Sequence, residues 1–249
     1  MRRCIGLVLA IVLGSISFCF AEVNNPCDKV DMAWLRTHSP IPQGEIVSKN
    51  NMGSLCEIIL QFGTEYVPVY AGDDFIIAGE MIKHRKQVTV AKIEALRADG
   101  FRKILPKLDS VVAISYKPQK KTNGKIYMIT DPLCPYCNMA TKNIVSLADK
   151  LGIEVKAVLY SVHGEKGEQK AVEAICKKMS LVQYGEEEWK TQPFLEDYRC
   201  KEGEVLIDET KEIIRETGIT GVPVFITDTG QFVNGANMAA VEALLTEKN

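Results

Sequence analysis

The feature that most constrains this chain is a pair of cysteines three residues apart, Cys134 and Cys137, in the sequence Cys-Pro-Tyr-Cys. The preceding residues, 125–130, are apolar and rich in strand-forming types, and this run ends at Asp131 and Pro132. After the pair, apolar residues recur at helical spacing: Ala140, Ile144, Leu147 and Leu151. The sequence therefore predicts that the pair lies where a β-strand ends and an α-helix begins.

This position gives the two cysteines different roles. Pro135 is predicted at the first helical position, where its fixed φ and its missing N–H group are tolerated. The Cys134 sulfur then lies at the helix N-terminus, where unpaired amides and the helix dipole favour the thiolate. Cys137 follows one turn later, more buried and within reach of a mixed disulfide at Cys134. We therefore predict Cys134 as the nucleophile and Cys137 as the resolving thiol.

Two other interpretations of the pair are a structural disulfide and a zinc site. A bridge between residues three apart closes almost no loop, so it is poorly suited to a structural role. Zinc would need two further thiolate or imidazole ligands, but the chain has no second Cys-x-x-Cys. Its three histidines, His38, His84 and His163, are scattered and are most simply surface residues. We expect no metal and no cofactor.

The amino terminus predicts export. Arg2 and Arg3 precede an apolar run over residues 5–16, which is shorter than the ~20 residues that a membrane-spanning helix needs. Small residues at Cys19 and Ala21 fit a secretory signal peptide, residues 1–21, cleaved after Ala21. The alternative is a lipoprotein signal with Cys19 lipidated, but a bulky residue precedes that cysteine. We therefore expect an oxidising compartment, in which disulfides form.

The composition and charge of the chain are those of a globular protein that gives no sign of binding nucleic acid. The chain has 249 residues, 46% of them hydrophobic and 25% charged, which is typical of a globular protein. Its formal net charge is −2, and removal of two arginines with the signal peptide makes the mature chain more acidic. Nothing in this balance favours nucleic acid as a partner.

The order of the predicted elements after the cysteine pair indicates the fold of the carboxyl-terminal part of the chain. Residues 153–160 are predicted as a second strand, and residues 165–217 as a charged, mostly helical stretch. A proline then opens an apolar strand, which favours a turn or a cis bond at Val222-Pro223. A hairpin into residues 231–233 and a closing helix from residue 237 follow. The order β, α, β, helical insert, β, β, α is that of a thioredoxin-like domain.

Upstream, the sequence predicts a small sheet followed by a helix. Residues 56–62, 66–70 and 75–82 are strand candidates, and so small a sheet is expected to bury one surface against a partner. Thr89 is predicted to cap a helix that runs to about Asp99, with Gly100 as its stop.

Four motifs occur together in the mature chain: residues 116–119, residues 130–137, the spaced pair Cys176 and Cys200, and residues 221–223. Together they resemble the DsbC/DsbG family of exported protein disulfide isomerases. The resemblance covers nearly the whole mature chain, and its motifs are strongest in the carboxyl-terminal half.

The resemblance implies roles for several residues. It makes Cys134 and Cys137 the redox centre, with Pro135 and Tyr136 between them. It also implies a cis-proline loop at Val222-Pro223 that faces the active thiol. By the same resemblance, Cys176 and Cys200 form a structural disulfide in the helical insert, the alternative being two independent thiols.

The implied fold class is α+β, in three parts after the signal peptide. Residues 22–86 would form a small, mostly β dimerisation domain, and residues 87–115 a linker helix region. Residues 116–249 would form a thioredoxin-like α/β domain with a helical insertion. Cys27 and Cys56 match no cysteine of the family. A disulfide bracing the amino-terminal domain is our first interpretation of them, with an intersubunit bridge or an extra redox pair as alternatives.

The implied function is that of a homodimeric periplasmic thiol:disulfide isomerase, which rearranges incorrect disulfides in misoxidised exported client proteins. The resemblance also implies a membrane reductase of the DsbD type as electron donor. The first alternative is a sulfenic-acid reductase, which Pro135 and Tyr136 between the two cysteines favour. Val222, where the isomerase branch usually has threonine, favours a net disulfide oxidase. A chaperone whose thiols are incidental is the alternative from another class.

Overall fold

The computed structural model describes residues 25–246. The predicted signal peptide, residues 1–21, and its cleavage site after Ala21 lie outside the described residues. No helix within the described part of the chain is both long and apolar enough to span a membrane.

The amino-terminal half forms a four-stranded antiparallel sheet in the order β1-β2-β3-β4. Its elements are α1 (Met32–His38), β1 (Glu45–Asn51), β2 (Cys56–Phe62), β3 (Glu65–Ala71) and β4 (Ile76–Ala78), followed by the two-stranded β5 (Ile82–Lys83) and β6 (Lys86–Gln87). The strands predicted over residues 56–62 and 66–70 are confirmed. The strand predicted over residues 75–82 is instead divided between β4 and β5, and α1 and β1 were not predicted.

Both faces of β2 are buried. Ile58 and Leu60 pack on one face in a small core with Leu35 of α1. On the other face, the buried Glu57 carboxylate accepts a hydrogen bond at 2.6 Å from Lys92 of the helix that follows the sheet. This helix therefore covers the second face of the amino-terminal sheet.

That helix, α2 (Val88–Ser110), is longer than predicted. Thr89 lies inside it rather than capping it, and its hydroxyl accepts a hydrogen bond from the Met81 N–H group at 2.8 Å. Gly100 does not end the helix. Glycine costs a helix about 1 kcal/mol relative to alanine, but Phe101 and Leu108 bury their side chains against the carboxyl-terminal sheet. Tertiary packing therefore carries α2 through the glycine.

The carboxyl-terminal half is a five-stranded sheet in the order β11-β10-β8-β9-β7, in which only β8 and β9 are parallel. Its strands are β7 (Ile114–Tyr116), β8 (Gly124–Thr130), β9 (Ile153–Leu159), β10 (Val224–Thr227) and β11 (Phe232–Asn234). Its helices are α3 (Pro135–Leu151), α4 (Glu165–Cys176), α5 (Leu181–Tyr184), α6 (Glu188–Thr191), α7 (Lys201–Thr217) and α8 (Met238–Thr246), with a 3₁₀ turn at Glu196–Tyr198. The predicted α+β class and the predicted order of elements after residue 124 are confirmed.

The central strand β8 is buried on both faces. Ile126 and Met128 pack with α3 and α8, whereas Tyr127 and Ile129 pack with α2 and α7. A strand covered on both faces reads as a continuous apolar run, as it does here. The chain leaves this buried strand at Thr130 and reaches the cysteine pair within four residues.

Candidate active site

Cys134 is the N-cap residue of α3, and Pro135 is the first residue of that helix. The N–H group of Cys137 donates a hydrogen bond to the Cys134 sulfur at 3.4 Å. A thiolate at this position would keep that donor and would face the positive end of the helix dipole. The predicted strand-to-helix junction is therefore present, with Cys134 at the helix N-terminus.

Cys137 lies deeper in the protein. Its side chain is almost completely buried, and the Asp131 N–H group donates to its sulfur at 3.5 Å. Burial raises the pKa of the Cys137 thiol to about 12, because desolvation disfavours the thiolate. Both cysteines are free thiols in this structure. Both cysteines are buried, but the pair is asymmetric, because the Cys134 sulfur lies at the helix N-terminus whereas Cys137 is enclosed as a protonated thiol.

The loop before β10 lies beside Cys134. The Val222-Pro223 bond is cis. Because Val224 pairs with Ile129 in the sheet, the loop lies level with the carboxyl end of β8. The Cys134 thiol donates to the Val222 carbonyl oxygen at 3.8 Å. The sheet register thus brings together the two motifs that the sequence places about ninety residues apart.

The surface around Cys134 is partly apolar. Tyr136 is 67% exposed, and Met139 on the next turn of α3 is also exposed. A groove of about 480 Å³ runs beside them, with Leu133 and Pro135 among its lining residues. Exposed apolar side chains beside a reactive thiol can contact an unfolded or misfolded polypeptide.

Asp131 is a site residue that the sequence analysis treated only as the end of a strand. Its carboxylate is completely buried and accepts hydrogen bonds from the N–H groups of Leu133 and Val162, both at 2.7 Å, and from the Ser161 hydroxyl at 3.1 Å. The Nδ1 atom of His163 lies 2.8 Å from the same carboxylate. His163 is partly exposed, as expected, but it is tied to the site. The sequence signal that could have identified Asp131 as a site residue is a carboxylate directly after a buried central strand.

Lys190 and Tyr184 of the helical insert also reach the site, and neither was predicted. Lys190 is only 9% exposed, and desolvation lowers the pKa of its ammonium to about 8. Its Nζ atom contacts the side-chain oxygen of Asn138 and lies 4.7 Å from the centroid of the Tyr184 ring. The Tyr184 hydroxyl is 3.5 Å from that of Thr130, and burial raises the pKa of Tyr184.

A family model for the thioredoxin-like domain matches residues 112–247, which is more than half of the chain. The chain belongs to this thioredoxin-like family. The match begins just before β7 and ends within a few residues of α8, so it contains the cysteine pair, the cis-proline loop and the helical insert.

Several solved structures are similar to this chain at low sequence identity. A linker-deletion mutant of ScsC from Proteus mirabilis is 16% identical, with 65% of this chain and 86% of that chain covered and a TM-score of 0.53. The thiol-disulfide exchange protein α-DsbA2 from Wolbachia pipientis is 11% identical, with 64% and 98% covered and a TM-score of 0.51. DsbG from Helicobacter pylori is 16% identical, with 74% and 93% covered and a TM-score of 0.41. No curated protein matches the chain.

At these identities the likeness shows the fold, and it favours no single branch such as DsbC/DsbG. The thioredoxin-like fold together with a free Cys-x-x-Cys pair supports thiol-disulfide oxidoreductase activity.

The other four cysteines of the described chain form two disulfides. Cys27 is bonded to Cys56, which ties the segment before α1 to the first residue of β2. Cys176 is bonded to Cys200, which ties the end of α4 to the N-cap of α7 in the insert of the thioredoxin-like domain. Within residues 25–246, no group of three or more His, Cys, Asp or Glu side chains is arranged to hold a metal ion.

Proposed function

We propose that this protein is an exported thiol:disulfide isomerase and reductase of the DsbC/DsbG type, which rearranges incorrect disulfides in client proteins. Cys134 is the nucleophile and Cys137 is the resolving thiol. No cofactor takes part, because thiol-disulfide exchange needs only sulfur nucleophiles and leaving groups.

The reaction begins with attack of the Cys134 thiolate on a client disulfide. One sulfur of the client bonds to Cys134, and the other leaves as a thiolate with the electron pair. If that thiolate later attacks elsewhere in the client and Cys134 is released, the client is isomerised and the enzyme is unchanged. If Cys137 attacks Cys134 instead, the client is reduced by two electrons and the enzyme pair becomes a disulfide.

The observation that carries this proposal is the asymmetry of the pair. Cys134 lies at a helix N-terminus, where its sulfur accepts the Cys137 N–H group, whereas burial raises the pKa of Cys137 to about 12. A resolving thiol that is hard to ionise leaves the mixed disulfide more time to rearrange, because only the thiolate is a nucleophile. This favours isomerisation over immediate release.

A homodimer is part of the proposal. Strand β4 is at an edge of the amino-terminal sheet, and Ile77 on that strand is 52% exposed. Phe75 and Ile82, on either side of β4, are also exposed apolar residues. An exposed apolar edge strand is a template for pairing with another strand. We infer that a second copy of the chain pairs there.

Export to the periplasm also belongs to the proposal, and it is supported by the signal peptide that the sequence predicts and by the two disulfides. Because each reduction of a client leaves the Cys134-Cys137 pair oxidised, an electron donor must restore it. A membrane reductase of the DsbD type has the required chemistry.

The proposal is tested by reactivation of a scrambled multi-disulfide substrate with the mature protein, residues 22–249, beside its Cys134→Ala variant. We expect recovery with the wild type and none with the variant. Recovery with both would indicate a chaperone whose thiols are incidental. No recovery from folded protein with a reactive Cys134 would reject the isomerase and favour reduction of sulfenic acids.

A net oxidase is the second candidate, because valine rather than threonine precedes the cis-proline and its carbonyl contacts the Cys134 sulfur. The two candidates differ in the state of the pair in the cell. Alkylation after acid quenching should find Cys134 reduced for an isomerase and joined to Cys137 for an oxidase.

A further inference from the structure

Lys190 is a buried cation without a buried counter-charge. It is 9% exposed, and among the described residues no carboxylate oxygen lies within 4.0 Å of its ammonium. Its ammonium contacts the Asn138 side chain, one residue after Cys137, and lies over the faces of the Tyr184 and Trp189 rings. An unpaired buried charge is costly, so it persists only where something compensates it.

The charged and titratable groups around Lys190 come from several elements. They are Lys142 of α3, Glu187 before α6, Asp131 after β8, Tyr184 of α5, Lys170 of α4, and the two active-site cysteines. Lys142 and Glu187 form a surface pair with each other at 2.8 Å. Lys170 is neutralised by Glu173 at 2.7 Å. Because Glu187 and Glu173 are paired with other lysines, neither carboxylate is a close partner of Lys190.

The two remaining anionic groups are Asp131 and the thiolate that Cys137 becomes during catalysis. The Asp131 carboxylate is already hydrogen-bonded by three N–H or O–H donors and lies against the His163 ring. The Cys137 sulfur accepts a hydrogen bond from the N–H group of Asp131 at 3.5 Å. A thiolate there, in a buried environment, gains more from a nearby ammonium than it would in water.

We propose that Lys190 is a positioning residue that stabilises the Cys137 thiolate in the resolving step. This inference rests on the proposed roles of Cys134 and Cys137. When Lys190 is charged, the proton of Cys137 leaves to solvent, and when Lys190 is neutral, its amine takes that proton. Either route leaves a thiolate at Cys137 and an ammonium at Lys190.

The step then balances without another reactant. The Cys137 thiolate attacks the Cys134 sulfur, the Cys134-Cys137 bond forms, and the bond from Cys134 to the client sulfur breaks. The client sulfur leaves as a thiolate with the electron pair. The client is reduced by two electrons, and the enzyme pair is oxidised by two.

Burial opposes ionisation of each group alone, whereas the opposite charges of the ionised pair attract each other, and more strongly than they would in water. Burial raises the pKa of Cys137 to about 12 and lowers that of Lys190 to about 8. Above pH 8, the thiolate-ammonium pair forms by transfer of a proton from one group to the other. Its population then no longer depends on pH.

The test follows the reaction of the reduced mature protein with the aromatic disulfide dithiobis(nitrobenzoate) by stopped flow. A coloured thiolate is released when Cys134 attacks and again when Cys137 resolves, so the two steps are seen separately. At pH 7 we expect Lys190→Met to slow the second phase about tenfold, the size of a 1.4 kcal/mol effect, and to change the first by less than about twofold. Lys150→Met removes a 66% exposed lysine from α3, the helix that carries Cys137, and should change neither phase.

The pH dependence of the second-phase rate distinguishes an electrostatic role of Lys190 from a structural one. The wild-type second phase should rise with pH and level off near pH 8, whereas that of Lys190→Met should keep rising about tenfold per pH unit. Lys190→Arg keeps the charge but does not titrate in this range, so its second phase should be fast at pH 7 and should not level off.

Three results would overturn the inference: an unchanged second phase in Lys190→Met, slowing by one constant factor at every pH, or levelling near pH 8 in Lys190→Arg. If Lys190→Met does not fold, as judged by circular dichroism, the profile of Lys190→Arg decides alone. Absence of the first phase in the wild type would instead refute Cys134 as the nucleophile, and the role of Lys190 with it.

Discussion

Replacing Lys190 by methionine should make the folded protein more stable at neutral pH. Its ammonium has a pKa of about 8 in the fold and an ordinary value of 10.5. At 1.36 kcal/mol per pH unit, the charged form destabilises the fold by about 3 kcal/mol. This penalty is present in full below pH 8 and decreases as the pH rises from 8 towards 10.5. Above 10.5 it is absent, because the lysine is then neutral in both the folded and the unfolded protein. Methionine has a similar length and carries no charge.

Urea unfolding followed by circular dichroism, at pH 7 and at pH 9, measures this penalty. The advantage of Lys190→Met over the wild type should shrink by about 1 kcal/mol between the two pH values, since part of the wild-type lysine is neutral at the higher one. Lys150→Met serves as the control and should show no such change. An advantage that is equal at both pH values would refute the reasoning, as would a variant less stable than the wild type at pH 7.

Three other variants test the scaffold of the site. Replacing both Cys176 and Cys200 by alanine should lower the free energy of unfolding by about 3.5 kcal/mol on the chain-entropy model, and a loss below about 1 kcal/mol in urea titrations would contradict this. Gly167→Ala should cost about 1–3 kcal/mol in thermal unfolding, because the added methyl group would collide with the Ser161 hydroxyl. Asp131→Asn should cost a similar 1–3 kcal/mol, since an amide cannot accept from every donor that the carboxylate holds; unchanged urea midpoints would argue against that network.

The strand-to-helix junction at Cys134 could be predicted because its signals are local. An apolar run of strand-forming residues, a proline at the first helical turn and helical spacing afterwards all lie within about thirty residues of one another. The cis bond before Pro223 was one of two expectations for the same kind of reason, a proline that opens an apolar strand.

What could not be predicted depends on contacts between distant parts of the chain. Lys190 meets Asn138 across 52 residues, and it comes from a stretch so rich in charge that one lysine does not stand out. The continuation of α2 through Gly100 likewise depends on burial of Phe101 and Leu108 against a sheet formed later in the chain. Local propensity is a weak guide where tertiary packing opposes it.

The order of the cysteines along the chain bears on how this protein itself becomes oxidised. Cys27 pairs with Cys56, and Cys176 pairs with Cys200, while Cys134 and Cys137 lie between these two bridges. Six cysteines can be joined in many ways, but here each bridge joins two cysteines that are consecutive in the sequence, and the two free thiols are consecutive as well. On the proposed export of the chain from its amino terminus, an oxidant that joins each cysteine to the next one to emerge would produce both bridges. A catalyst proposed to correct the disulfides of other proteins can therefore mature without first being corrected by another copy of itself.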